Sequence, residues 1–171
     1  MTDASSDAID QPNAREEIDL VALAAEACAR FKDCCVEGKS VIVRGDPMLL
    51  RRMVRNLVEN AQHHGVAPIE VNVEPRNDKA VLAVSDHGPV IVERERLFSP
   101  FYRVAGTAGP KGTGLGLALV RQIARRHGGD VAYNPEHGSC FEVTLPALGP
   151  RDASPTSDAA PATMREAATS A

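Results

Sequence analysis

The chain has 171 residues, a formal charge of −4, 43% apolar and 25% charged residues. This is ordinary globular composition, enough for one domain with a real core. The acidic balance argues against a general nucleic-acid binder, and the 4% aromatic content without Trp argues against a platform for stacking bases.

Residues 1–14, MTDASSDAIDQPNA, are polar and acidic; they read as a disordered segment and not as a signal peptide. Residues 18–31 run helically from a cap at Asp19. Cys28, Cys34, Cys35 and Cys140 match no zinc spacing and read as reduced thiols. Val41–Arg44 is a short strand candidate. The clearest helix follows it. Asp46 caps it, Pro47 suits its first position and Gly65 its stop, and Leu50, Met53, Val54, Leu57 and Ala61 share one face.

Ile69–Val73 and Ala80–Ser85 read as strands joined by a turn at Pro75–Asp78. An irregular stretch, 86–112, precedes a helix from about Thr113 to His127 with Val120, Ile123 and Ala124 buried. Arg125, Arg126 and His127 suit its negative end, and Gly128-Gly129 ends it. Val131–Tyr133 and Cys140–Leu145 are the last strands. Residues 148–171, rich in Ala, Ser, Thr and Pro, read as a disordered tail, leaving 15–147 as the folded domain. The expected class is an α/β two-layer sandwich: a mixed, mainly antiparallel sheet with about three helices on one face. No apolar run approaches the ~20 residues that span a bilayer, so a cytoplasmic chain without direct membrane contact is expected.

Three segments carry candidate chemistry. Asn56 and Asn60 lie one turn apart on a helix face away from the core stripe, with His63 and His64 continuing along it. Such a row is either a solvated polar face or a set of neutral amides suited to a Mg²⁺ shared with substrate phosphates. Lys111-Gly112-Thr113-Gly114-Leu115-Gly116 opens a helix with three glycines, which suits an anion or simply close packing. Its spacing matches neither a P-loop nor a dinucleotide-binding fingerprint. Between them lies Leu97-Phe98-Ser99-Pro100-Phe101-Tyr102-Arg103, expected to dock through Phe98 and Phe101.

The order of these segments resembles the ATP-binding catalytic domain of sensor histidine kinases, the Bergerat fold shared with gyrase and heat-shock chaperones. RNLVENAQHHG is similar to the N box, SDHGP to the G1 box, LFSPFYR to the F box and KGTGLGLALVRQIARRHGG to the G2 box. The resemblance implies ATP and Mg²⁺ as cofactors. Asn60 would hold the metal, Asn56 would support the phosphates, and Asp86 would receive the adenine amino group, with Gly88 letting the base approach. Gly112, Gly114 and Gly116 would cradle phosphates under a lid, together with Lys111, Thr113 and Leu115. Tyr102 and Arg103 would contact nucleotide from that lid, and His63 stands where many members carry a phosphate-touching Lys.

Hydrolysing members of the superfamily carry a Glu one turn before the metal Asn. Here that position is Asn56, so the resemblance implies phosphoryl transfer to a histidine on a separate dimerisation domain and onward to a response regulator. A full-length parent would be an inner-membrane sensor. Two other functions stand beside this one: a degenerate nucleotide-binding or partner-docking module, and a serine kinase of the anti-sigma type. Two departures from the family pattern are expected to matter. The segment between Arg30 and Asp46 is short, so a sheet-edge strand is lost or reduced. The G1 segment is also short, with Val90 in place of a second glycine.

Overall fold

The computed structural model describes residues 15–103, 114–136 and 138–149. Among these, seven strands and three α-helices are laid out in the order β1 (Glu16–Asp19), α1 (Leu20–Cys28), β2 (Cys34–Gly38), β3 (Ile42–Gly45), α2 (Pro47–His64), β4 (Ile69–Arg76), β5 (Lys79–Asp86), α3 (Gly116–Arg126), β6 (Asp130–Asn134) and β7 (Ser139–Pro146), with a 3₁₀ turn at Arg94–Arg96 between β5 and α3. Five strands form one sheet in the order β2-β4-β5-β7-β6, and β1 and β3 form a separate two-stranded ribbon. Only β2 and β4 run parallel within the larger sheet; its other pairs are antiparallel.

The pleat sorts side chains by face. Val73, Leu82 and Val143 are cross-strand partners in a row, as are Val71, Val84 and Phe141. All six are at most 1% exposed, beneath the apolar stripes of the helices. Glu70, Asn72, Ala83 and Glu142 occupy the opposite face and are not buried. The helices thus cover one face, giving the expected two-layer sandwich of the Bergerat type.

Local signals explain α2. Asp46 Oδ1 accepts from the amides of Met48 and Leu49 at 2.9 and 3.1 Å, Pro47 opens the first turn, and Leu50, Met53, Val54, Leu57, Val58 and Ala61 are buried. The Gly65 amide closes the helix onto the Ala61 carbonyl at 2.8 Å.

Other elements differ from the sequence reading. The first helix does not begin at Ile18: Glu16–Asp19 is strand β1, and the Asp19 side chain accepts from the Val21 amide to start α1 afterwards. The edge strand expected to be lost or reduced is present as the five-residue β2, whose backbone pairs with Ile69–Val73 and whose Cys34 and Val36 pack against the core. The turn before β5 shrinks to Asn77-Asp78, since Asn77 takes a left-handed φ of 55° and Arg76 already pairs with Lys79. The third helix begins at Gly116, and Thr113 lies outside the described residues. The thiols are not all free. The chain turns from α1 into β2 over six residues, which brings the Cα atoms of Cys28 and Cys34 to 5.3 Å, and the two are joined as a disulfide. Cys35 and Cys140 are free.

Candidate functional site

The end of α2 is fastened to the end of β5. The Val66 amide donates to Asp86 Oδ1 at 3.3 Å, and the His87 amide donates to the Val66 carbonyl at 2.9 Å. The approach is so close that a Cβ at Gly65 would lie 2.4 Å from Asp86 Cγ. Asp86 Oδ1 also accepts from the Gly88 amide at 2.7 Å. Asp86 is only 4% exposed, yet its second oxygen has no hydrogen-bond partner among the described residues. On a residue this buried, a carboxylate oxygen that faces a cleft without a protein partner is an acceptor for a ligand donor.

That cleft has a volume of about 580 Å³, within the range of small-molecule sites. Asp86, Ser139 and Phe141 lie in one part of its lining, which strands β5 and β7 bring together. One wall is Pro89–Glu93 with Leu97, and another is the polar face of α2: Asn56, Glu59, Asn60, His63 and His64. Gly114, Gly116 and Leu117 bring the start of α3 to the same cleft, and Tyr102 and Arg103 complete it. Glu59 reaches this lining although it is adjacent to Asn60, and Arg55 lies 3.7 Å from its carboxylate.

Of the residues singled out from sequence, Asn56, Asn60, His63, Asp86, Tyr102, Arg103, Gly114 and Gly116 therefore converge. Gly88 and Leu115 do not line the cleft. A Cβ at Gly88 would meet Asp86 Oδ1 at 2.6 Å, so the missing side chain lets the backbone turn closely around the carboxylate. Lys111, Gly112 and Thr113 lie outside the described residues.

The aromatic segment docks differently from expectation. Leu97 is buried and Phe98 stands edge-on to Phe141, with centroids 6.1 Å apart, while Arg121 lies over the Phe98 ring at 5.5 Å. Phe101 instead points to solvent, 75% exposed, because its backbone is held in a left-handed turn with φ of 63°. Its amide donates to the Gly114 carbonyl at 3.1 Å, and a Cβ on Gly114 would come within 2.9 Å of the Phe101 backbone. Gly114 thus permits the two ends of the intervening segment to cross. Tyr102 turns inward, its hydroxyl donating to Glu93, which pushes the phenol pKa up. At His64, burial, then the neighbouring His63 and Arg103, hold the imidazole below its usual range.

Sequence reasoning missed Gly65, Glu93, Ser139 and Tyr133. Only Gly65 left a local signal, as the helix stop; the others reach the site through pairing and loop packing. No His, Cys, Asp and Glu cluster able to hold a metal by itself occurs among the described residues. The donors present are the neutral Asn amides, which fit a metal held mainly by a substrate's phosphates.

The sequence profile described as "Histidine kinase-, DNA gyrase B-, and HSP90-like ATPase" matches residues 45–149. The chain belongs to this ATPase family. As a family member with a cleft of this size, the folded unit is an ATP-binding domain. The sensor protein CutS of Streptomyces coelicolor is 38% identical over 149 residues, which cover 77% of this chain and 36% of CutS. The sensor histidine kinase component HK1 of Mycobacterium tuberculosis is 31% identical over 143 residues, 77% of this chain and 83% of HK1. The solved catalytic domain of histidine kinase ThkA superposes with a TM-score of 0.67 at 30% identity, covering 77% of this chain and 95% of that domain. HK1 is a sensor histidine kinase component and CutS a sensor protein, and the chain corresponds to the catalytic domain of the histidine kinase ThkA, the ATP-binding part. It spans about a third of the length of CutS. Among the described residues, no helix is long and apolar enough to cross a membrane.

Proposed function

We propose that this chain is the kinase catalytic module of a two-component sensor, which binds ATP with Mg²⁺ and passes the γ-phosphoryl group to a histidine on a dimerisation and phosphoacceptor domain. The phosphohistidine would then supply a response regulator. The observation that carries the reading is the arrangement of the cleft: a buried carboxylate with one open oxygen at Asp86, and two neutral amides at Asn56 and Asn60 beside the start of α3.

In this reading the adenine amino group donates to Asp86, against Phe141 and Leu97. The phosphates extend toward Asn56, His63 and the first amides of α3, whose helix N-terminus favours an anion. Asn60 would hold Mg²⁺, which would supply charge neutralisation for the transferred phosphoryl group. Arg103 and Tyr102, which line the cleft, contact the phosphates; Lys111, Gly112 and Thr113 lie outside the described residues. Asn56 has no basic group, so it does not activate water, and Glu59 is drawn toward Arg55. The site thus presents the γ-phosphorus to an imidazole nitrogen brought by the acceptor domain; the bond to the β–γ bridging oxygen breaks and ADP leaves. The small length excess of HK1 over the matched region supports a catalytic part that works with a separate acceptor.

The test is transfer in trans. Purified chain is incubated with labelled ATP, Mg²⁺ and a histidine-bearing dimerisation domain. The expected product is acid-labile phosphohistidine. An acid-stable phosphoprotein would identify a serine kinase, and ATP binding without transfer would identify a docking module. Asn60→Ala is expected to weaken Mg²⁺-dependent ATP binding on the order of 100-fold, a loss of about 3 kcal/mol. Its unfolding midpoint should stay unchanged, since Asn60 lies off the buried stripe of α2.

A further inference from the structure

The wall Pro89–Val92 lacks the glycine that the resemblance calls for, yet it follows the cleft closely. Its hydrogen bonds show how. Among the described residues, Ile91 has the only amide between Gly88 and Glu93 that donates a hydrogen bond, and its acceptor is the Tyr133 hydroxyl at 2.9 Å. Val90 and Val92, on either side, are 45% and 87% exposed, while Ile91 packs against the core. The wall is therefore an irregular segment held inward through the Ile91 amide.

The holding group is itself rigid. Tyr133 lies on β6 directly opposite Phe141 of β7, and the two rings contact with centroids 5.1 Å apart. Phe141 is 1% exposed and forms part of the cleft lining. A phenol seated on a strand and against a buried ring keeps its oxygen in place at little entropic cost. Tyr133 itself does not line the cleft, so it acts on a ligand only through the wall it holds.

We propose that Tyr133 is a positioning residue that clamps the Pro89–Val92 wall along the cleft and so sets affinity for the base end of the nucleotide. The proposal rests on the reading of the cleft as the ATP site. The test uses the full chain and Tyr133→Phe, which keeps the ring on Phe141 and removes only the acceptor. Binding of Mg²⁺-ATP and of Mg²⁺-tripolyphosphate, which has the phosphates without the base, is measured by calorimetry. Amide exchange of Ile91 is followed in the same samples.

Loss of one neutral hydrogen bond should weaken ATP about three- to ten-fold. Tripolyphosphate affinity should not change, and Ile91 should exchange faster while the β6–β7 amides stay protected. Unchanged ATP affinity, or equal weakening of both ligands, overturns the proposal, the latter because it marks a general effect on the fold. If wild-type chain binds no ATP, the nucleotide reading falls and this inference with it. If wild type binds and the variant binds equally, only this inference falls.

Discussion

Gly114 and Gly116 stand two residues apart in one motif and answer to different constraints. Gly114 has a φ of 69°, and a Cβ there would strike the Phe101 backbone. A Cβ on Gly116 would meet nothing within 4 Å, so packing does not require this glycine. Gly116→Ala is therefore expected to leave the domain as stable as before, or up to about 1 kcal/mol more stable, since Ala outranks Gly in a helix. Its ATP affinity should fall about ten-fold or more as the methyl group meets phosphate, read by thermal unfolding and calorimetry on one sample. His64 gives a second outcome at this scale. Its lowered pKa means that the unfolded chain takes up that proton first as pH falls. Its contribution to stability is complete above about pH 6.5 and is lost as pH drops through the folded value. His64→Asn should flatten urea-derived stability as pH falls below about 6.5. The motif glycines were legible in the sequence, but the difference between them was not, because each is set by what stands opposite in space.

Between elements, His127 joins the two helices that carry most of the polar cleft. Its Nε2 accepts from the Asp46 amide at 3.0 Å, while Nδ1 lies 2.8 Å from the Ile123 carbonyl. One neutral tautomer satisfies both: Nδ1 donates to the carbonyl and Nε2 accepts. The start of α2 and the end of α3 are thereby held together, and Gly45 approaches so closely that a Cβ would lie 2.5 Å from the ring. His127→Ala should cost about 1–3 kcal/mol by leaving the Asp46 amide without its acceptor. The check is a lower urea midpoint with an unchanged slope. The sequence places His127 at a helix end, where a cation suits the dipole; the contact shows it bridging two helices. Strand β2 teaches the same lesson. Its alternation is limited to Cys34 and Val36, and the ladder that β4 offers completes it.

For the molecule as a whole, the chain spans about a third of the length of CutS, and the proposed transfer needs an acceptor. With the acceptor domain supplied separately, the initial rate should rise linearly with its concentration in the micromolar range. Joining the two by a flexible linker should bring the rate to the level of a roughly millimolar acceptor. Equal rates for linked and separate forms would remove simple encounter as the limit and point to a preformed complex.

The amino-acid sequence by itself determined α2 with both its ends, the strands β4, β5 and β7, the glycine-rich approach to α3 and the family. Those signals are local: side-chain periodicity, a capping carboxylate and turn residues act within a few positions of one another. Tertiary structure alone decided that β2 pairs at the sheet edge and that Cys28 meets Cys34. It also turned Phe101 outward and placed the Tyr133 hydroxyl on the Ile91 amide. Cys28 and Cys34 are six positions apart and meet because the chain reverses between α1 and β2; the other three depend on groups further apart in the chain, whose meeting is set by strand pairing and loop packing.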